Sequence, residues 1–162
     1  WRALVMTRLT LKEARALGII QAKPKKKVSP KTTLPRVQWD ARTFAGGLWL
    51  QIPEVPPSLN VWKNWHWAKQ HRYKEELKAD ISKLAIAFKL PKFRRATVLI
   101  KYYFGTNRRR DPADNYAPKF LMDALVNAGI LKDDNGDLVT VQVAMEVDRE
   151  KPRTEVFIWE GK

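Results

Sequence analysis

The chain contains no cysteine. That excludes disulfide scaffolds, cysteine-ligated zinc, iron–sulfur clusters and thiol nucleophiles. Histidine is nearly absent too: His66 and His71 are the only two, too few for a His-rich metal site. No apolar run approaches the roughly 18 residues of a membrane span. The first residues lack a continuous apolar stretch followed by a small-residue cleavage site, so no secretory signal is expected. The composition leads us to expect a soluble intracellular protein. Acid is scarce as well. Against 17 Asp and Glu stand 31 Lys and Arg, a net charge of +14 over 162 residues. An excess of this size favours polyanionic partners, above all nucleic acid.

The hydrophobic share of 44% allows a buried core, and the length suits one domain with an appendage. Residues 1–50 carry 11 Lys and Arg against Glu13 and Asp40. Much of the basic excess therefore lies in residues 1–43, read as an N-terminal extension ahead of a folded domain at 44–162. Within the extension, Thr10 to Ile20 reads as a short helix closed by Gly18. Residues 21–37, with three prolines and many lysines, read as a tether or basic arm.

In the main domain, Leu48 to Ile52 reads as a strand, and a helix is expected from about Trp67 to Leu90. Tyr73, Leu77, Ile81, Leu84, Ala85 and Phe88 recur on it at spacings of three and four. Thr97 to Phe104 reads as a buried strand. A second helix is expected from about Tyr116 to Ala128, with Gly129 just past its end. Leu138 to Val147 alternates strictly and reads as a strand. Thr154 to Trp159 closes the domain, expected antiparallel to its predecessor because the connection is short. The order predicts an α/β or α+β fold: one mixed sheet packed by helices.

Two stretches carry candidate chemistry. In the first, Arg108, Arg109 and Arg110 run into Asp111, Asp114 and Asn115 at a strand-to-helix junction, and Asp133 and Asp134 follow the helix. About a dozen helical residues separate the two acidic groups by roughly 18 Å along the axis, so they meet only if the second loop folds back. Carboxylates without His or Cys describe a hard-cation site of the Mg²⁺ type. The plain alternatives are N-capping by Asp and Asn and a polar hairpin turn at Asn135-Gly136. Lys119, one turn before Asp123, either pairs with it or meets a phosphate. In the second stretch, Asn60 to Lys74, three Trp lie among Asn60, Lys63, His66, Lys69, Arg72 and Lys74. Aromatics interleaved with cations suit nucleic acid, while core or dimer packing explains at least one of the rings. His66 reads as a phosphate or structural contact rather than a base.

The proline-rich PPSLN element, the basic helix, RRRD..DN, the K-x-x-x-D-A-L helix, AGI and the DD turn together resemble the RusA family of Holliday junction resolvases. The likeness runs from about Leu48 to the C-terminus and is densest from Arg108 to Val143. It implies a RusA-like domain, a small homodimeric Mg²⁺-dependent endonuclease of phage or prophage type, acting on branched DNA in a bacterial cytoplasm without a small-molecule cofactor. Mn²⁺ is an alternative ion. The family's paired acids fall on Asp111 and Asp114, its later acid on Asp134 and its lysine on Lys119. These four carry the implied catalysis, with Asp111, Asp114 and Asp134 holding the metal. DNA contacts are expected from Asn60, Lys63, His66, Lys69, Arg72, Lys74, Arg108, Arg109, Arg110 and Asn115. The chain departs from the family's D-x-D-N by one extra residue, so Asp111 is either a ligand displaced by a bulge or off the metal. The alternatives are a non-catalytic branched-DNA-binding protein and a flap or fork nuclease.

Overall fold

The computed structural model describes residues 37–110 and 118–161. The expected helix at Thr10 to Ile20, the tether as far as Arg36, and Asp111, Asp114 and Asn115 lie outside them. Among the described residues there are eight elements: β1 (Asp40–Phe44), β2 (Gly47–Ile52), α1 (Leu59–Lys63), α2 (Trp67–Ala87), β3 (Ala96–Phe104), α3 (Lys119–Asn127), β4 (Val139–Val147) and β5 (Arg153–Glu160). None of the described helices is long and apolar enough to cross a membrane.

The five strands form one sheet in the order β1-β2-β5-β3-β4. Only β3 and β4 pair in parallel; the other neighbours are antiparallel. The mixed α/β class expected from the element order is thus observed. Two details differ. First, β5 does not pair with its predecessor β4, because β3 lies between them. The short connection Asp148–Pro152 crosses the end of β3, where Asp148 N–H donates to Phe104 O at 2.9 Å. Second, β1 was not expected. It joins β2 through the two-residue turn Ala45-Gly46, with Phe44 opposite Gly47. The sheet therefore starts at Asp40, ahead of the boundary expected at residue 44.

Both crossovers, β2 to β3 through α2 and β3 to β4 through α3, join strands of the same direction and step the same way across the sheet. Crossovers of one hand then place both helices on one face. Accordingly α2 and α3 pack against each other and share a single core with Leu48, Leu50, Ile52, Val98, Ile100, Val156 and Ile158. β3 shows the pattern clearly: Ala96, Val98, Ile100, Tyr102 and Phe104 are buried and the residues between them are half-buried. Val139, Val141, Val143 and Met145 of β4 join the same core or pack against it, as their alternation predicts.

From α2, Leu77, Ile81 and Leu84 enter the core, and Tyr73 and Ala85 pack against it. Phe88 does not; it is exposed. The helix stops at Ala87 because the chain turns left-handed at Lys89 (φ 50°). Leu90 N–H then bonds Ala85 O and Lys89 N–H bonds Ile86 O, the paired closure of a Schellman motif. α3 ends the same way around Gly129 (φ 71°), with Ile130 bonded back to Leu125 and Gly129 to Val126. There the glycine bears no left-handed penalty.

Candidate active site and nucleic-acid surface

α3 buries Phe120, Leu121, Met122, Ala124 and Leu125. Lys119, Asp123 and Asn127 recur every fourth residue and form a polar stripe. Lys119 Nζ lies 3.7 Å from Asp123 Oδ1, and the lysine is 69% exposed. An open pair of this kind contributes about 0.5 kcal/mol or less, so it positions the ammonium without sequestering it.

After Gly129 the chain is pinned before the acidic turn begins. Ile130 and Leu131 are buried. Phe93 N–H donates to Ile130 O at 2.7 Å, and Lys132 N–H donates to Phe93 O at 3.1 Å. In the turn itself, Asp133 Oδ1 accepts from Asp134 N–H at 2.8 Å. Asn135 Oδ1 accepts from Asp137 N–H at 2.9 Å, and Asn135 O accepts from the N–H groups of Leu138 and Val139. Asp133 and Asn135 thus shape the loop. The Asp134 carboxylate takes no part in these bonds and is exposed.

The turn folds back along α3. Asp134, Asp123, Val126, Asn127 and Lys78 of α2 line one cavity of about 240 Å³. Of the four expected catalytic residues, Lys119 and Asp134 are described, and Asp123 links them: it pairs with the first and shares a cavity with the second. Asp111 and Asp114 lie outside the described residues. Among the described residues, no group of three His, Cys, Asp or Glu converges tightly enough to hold a metal. The donors that do meet are carboxylates only, which suits a hard cation and excludes a thiolate-type site.

The three arginines differ. Arg110 folds onto its own loop, donating to Thr106 O, Thr106 Oγ1 and Arg108 O, with its guanidinium 3.8 Å from the centre of the Phe104 ring. Arg108 and Arg109 are exposed and have no carboxylate partner among the described residues.

The Asn60–Lys74 stretch forms α1 and the start of α2. Gln70 Nε2 ties the two helices by donating to Trp62 O and Trp65 O, each at 3.1 Å. Trp62 packs on Phe120 with centroids 5.2 Å apart, and Trp65 packs edge-on against Tyr73 at 5.8 Å. Two of the three tryptophans are therefore structural. Trp67 is 72% exposed.

Lys69 sits 3.9 Å over the Trp65 ring and Lys74 4.8 Å over Trp62, so stacking orients their charges. No carboxylate among the described residues pairs with Lys63, Lys69, Arg72 or Lys74. His66 caps α2, its Nδ1 accepting from Ala68 N–H at 3.3 Å. The residue is otherwise exposed. Asn60 O accepts from Asn64 Nδ2 at 2.9 Å. Trp65, His66, Lys69 and Arg72 line an open cleft of about 530 Å³.

A second group of acids, Glu54, Glu76 and Asp80, surrounds Tyr73. Burial pushes the Glu54 carboxyl up, and Asp80 and Glu76 add to it, while Tyr73 opposes. The Tyr73 hydroxyl is pushed up as well, by burial first and Glu54 second. The hydroxyl is buried and meets the Glu54 carboxylate only in a loose contact, short of full hydrogen-bond geometry.

Sequence reading missed two contributors to the acidic cavity. Lys78 comes from a separate helix, and nothing local announces it. Asp123 stood in the recognised helix motif, and its four-residue spacing from Lys119 was its only signal.

The model of the family "Endodeoxyribonuclease RusA" matches residues 55–159. No curated protein matches the chain. Among solved structures, the periplasmic domain of MotB (residues 64–256) is 15% identical, with a TM-score of 0.40, covering 100% of this chain and 90% of that one. The periplasmic domain of Helicobacter pylori MotB (residues 78–256) is also 15% identical, with a TM-score of 0.39, covering 77% and 83%. These two likenesses are too slight to bear on function. The family match spans well over half the sequence and contains both α3 and the acidic turn: this chain belongs to the RusA family of endodeoxyribonucleases.

Proposed function

We propose that the chain is a Mg²⁺-dependent endonuclease that resolves four-way DNA junctions by paired phosphodiester hydrolysis in a bacterial cytoplasm. One observation carries this reading. The Asp134 carboxylate, engaged by nothing in its own turn, shares a cavity with Asp123, whose partner is Lys119. Asp134, with Asp114 and Asp111 from the sequence ahead of α3, would hold the cation, and all of them are hard oxygen donors. Held there, Mg²⁺ would supply Lewis-acid polarisation of a phosphoryl oxygen and stabilisation of developing negative charge. Lys119 sets its ammonium against the charge developing on that oxygen. Arg108 and Arg109 hold the flanking phosphates, and Arg110 holds the loop that presents them. Lys63, His66, Lys69, Arg72 and Lys74 contact the arms, where the exposed Trp67 stacks on an unpaired base. Paired cuts require two sites related by a two-fold axis, hence a homodimer.

A binding module without cleavage is the second reading. It is favoured by the extra residue in Asp111-Pro112-Ala113-Asp114-Asn115. Cleavage of a labelled mobile four-way junction, beside flap, fork and linear duplex, in Mg²⁺ and in EDTA, separates the readings. Symmetric nicks confined to the junction and abolished by EDTA are expected. Salt-sensitive binding without cuts in Mg²⁺ or Mn²⁺ would give the second reading instead. Preference for the flap or fork would replace the substrate.

A further inference from the structure

Between Asp80 and Asp111 the chain runs thirty residues without an acid, and nine Lys and Arg fall among them. Most of these cations gather at the two ends of β3. Arg108, Arg109 and Arg110 follow the strand; Lys89, Lys92, Arg94 and Arg95 precede it. β3 and β4 are parallel, so the segment that leads into β4 emerges at the same end of the sheet as residues 89–95. That segment is the acidic turn, entered through Lys132.

The backbone joins the two segments. Phe93 and Leu131 pair in a short parallel bridge, and both are buried. Their neighbours Lys92, Arg94 and Lys132 are exposed. The Lys92 stem crosses the end of α3, its Cε 4.0 Å from where a Cβ on Gly129 would stand. Three cations thus border the turn that carries Asp134. None of them, nor Lys89, pairs with a carboxylate among the described residues, although Asp133 is next to Lys132 in sequence.

The basic segment is also fixed. Leu90 N–H bonds Ala85 O at 3.0 Å, and Gly161 N–H bonds Arg95 O at 2.9 Å. Cations on a fixed backbone lose less freedom on binding. Lys89 adds an independent sign. Its φ of 50° is a conformation in which glycine is unstrained and lysine is not. Local geometry favours glycine there, and what the exposed lysine supplies instead is charge. A fixed row of unpaired cations suits a regular polyanion. The nine residues of β3 span about 30 Å, so the cations at its two ends stand roughly nine base pairs of duplex apart.

We infer that Lys89, Lys92, Arg94 and Lys132 form a second DNA-contact surface, which grips the phosphates of the duplex arm that leaves the acidic turn on the side away from Arg108 and Arg109. This rests on the nuclease reading above and adds contacts that the Asn60–Lys74 surface does not include.

The test is fluorescence anisotropy of a labelled four-way junction in EDTA, from about 50 to 200 mM salt. The full chain is compared with Lys92→Ala/Arg94→Ala/Lys132→Ala and with Lys83→Ala, a cation of α2 that is paired with Asp80. Each lost phosphate contact lowers the slope of log affinity against log salt by about one. The triple variant is expected to lose roughly three from that slope, and Lys83→Ala to keep the wild-type value. Lys89→Gly should lose about one while melting no lower than the wild type, which a purely structural lysine would not do. A folded triple variant with the slope of Lys83→Ala would overturn the inference and leave the nuclease reading standing. If the triple variant does not fold, Lys89→Gly decides, and a wild-type slope there would overturn the inference. A wild type that does not bind the junction would overturn both.

Discussion

Two short loops of this molecule carry aspartate, and they use it in opposite ways. In the crossover Asp148–Pro152, the Asp148 carboxylate accepts from Glu150 N–H, Lys151 N–H and Arg153 Nη1, at 3.1, 3.0 and 2.7 Å. Those contacts bend the chain over the end of β3, where the Pro152 ring meets Gly105. In the turn after α3, Asp133 and Asn135 do the equivalent bending, and Asp134 is left over. A carboxylate engaged by its own loop holds structure. One presented to a cavity, next to a second acid and a lysine, is available for a ligand. The same contrast separates Arg110 from Arg108 and Arg109, and Trp62 and Trp65 from Trp67.

Substitutions can break this contrast, in falling order of effect. Asp134→Asn should reduce junction cleavage about 100-fold or more while leaving the melting temperature and junction binding unchanged, since its carboxylate makes no hydrogen bond or ion pair among the described residues. Lys119→Ala should slow cleavage about 10–100-fold in single turnover, by analogy with the loss of one group that stabilises developing charge, with only a small change in stability because its pair is open. Trp67→Ala should weaken junction binding by about 1–3 kcal/mol if it stacks on a base, with little change in thermal stability. Trp62→Ala should instead lower stability by removing the ring packed on Phe120.

Asp148→Asn should have the smallest effect and act only on stability. Its carboxyl is held below its ordinary 3.8 by the Lys151 N–H first, then by the Arg153 side chain, with the Glu150 N–H helping. A depressed carboxyl contributes stability above its unfolded pKa and loses it as pH falls through the folded value. The wild type should therefore melt slightly higher than Asp148→Asn at pH 7, and the difference should shrink as pH falls below the carboxyl's ordinary 3.8 and through its lower folded value. Thermal scans across pH check this.

The sequence made much of the fold legible through periodicity. The alternation in β4 and the spacing of Leu77, Ile81 and Leu84 report burial directly. Pairing partners were less legible, because alternation shows which face a residue occupies and not which strand lies beside it. Thus β5 was expected beside β4, whereas it lies between β2 and β3. β1 escaped notice because its five residues are mostly polar or exposed, and the only marker was the Ala45-Gly46 turn after them. The end of α2 was obscured because Lys89 occupies a left-handed position usually marked by glycine, as Gly129 marks the end of α3. At the site, the motif residues named Lys119 and Asp134. That Asp134 returns to Asp123, and that Lys78 joins them, depends on packing between helices that no local spacing encodes.

The most direct test compares Asp134→Asn with Asp148→Asn, measuring junction cleavage in Mg²⁺ and melting temperature on the same preparations. Asp134→Asn should be inactive with wild-type stability, and Asp148→Asn active with reduced stability. Wild-type cleavage by Asp134→Asn would contradict the assignment of the acidic turn as the catalytic centre.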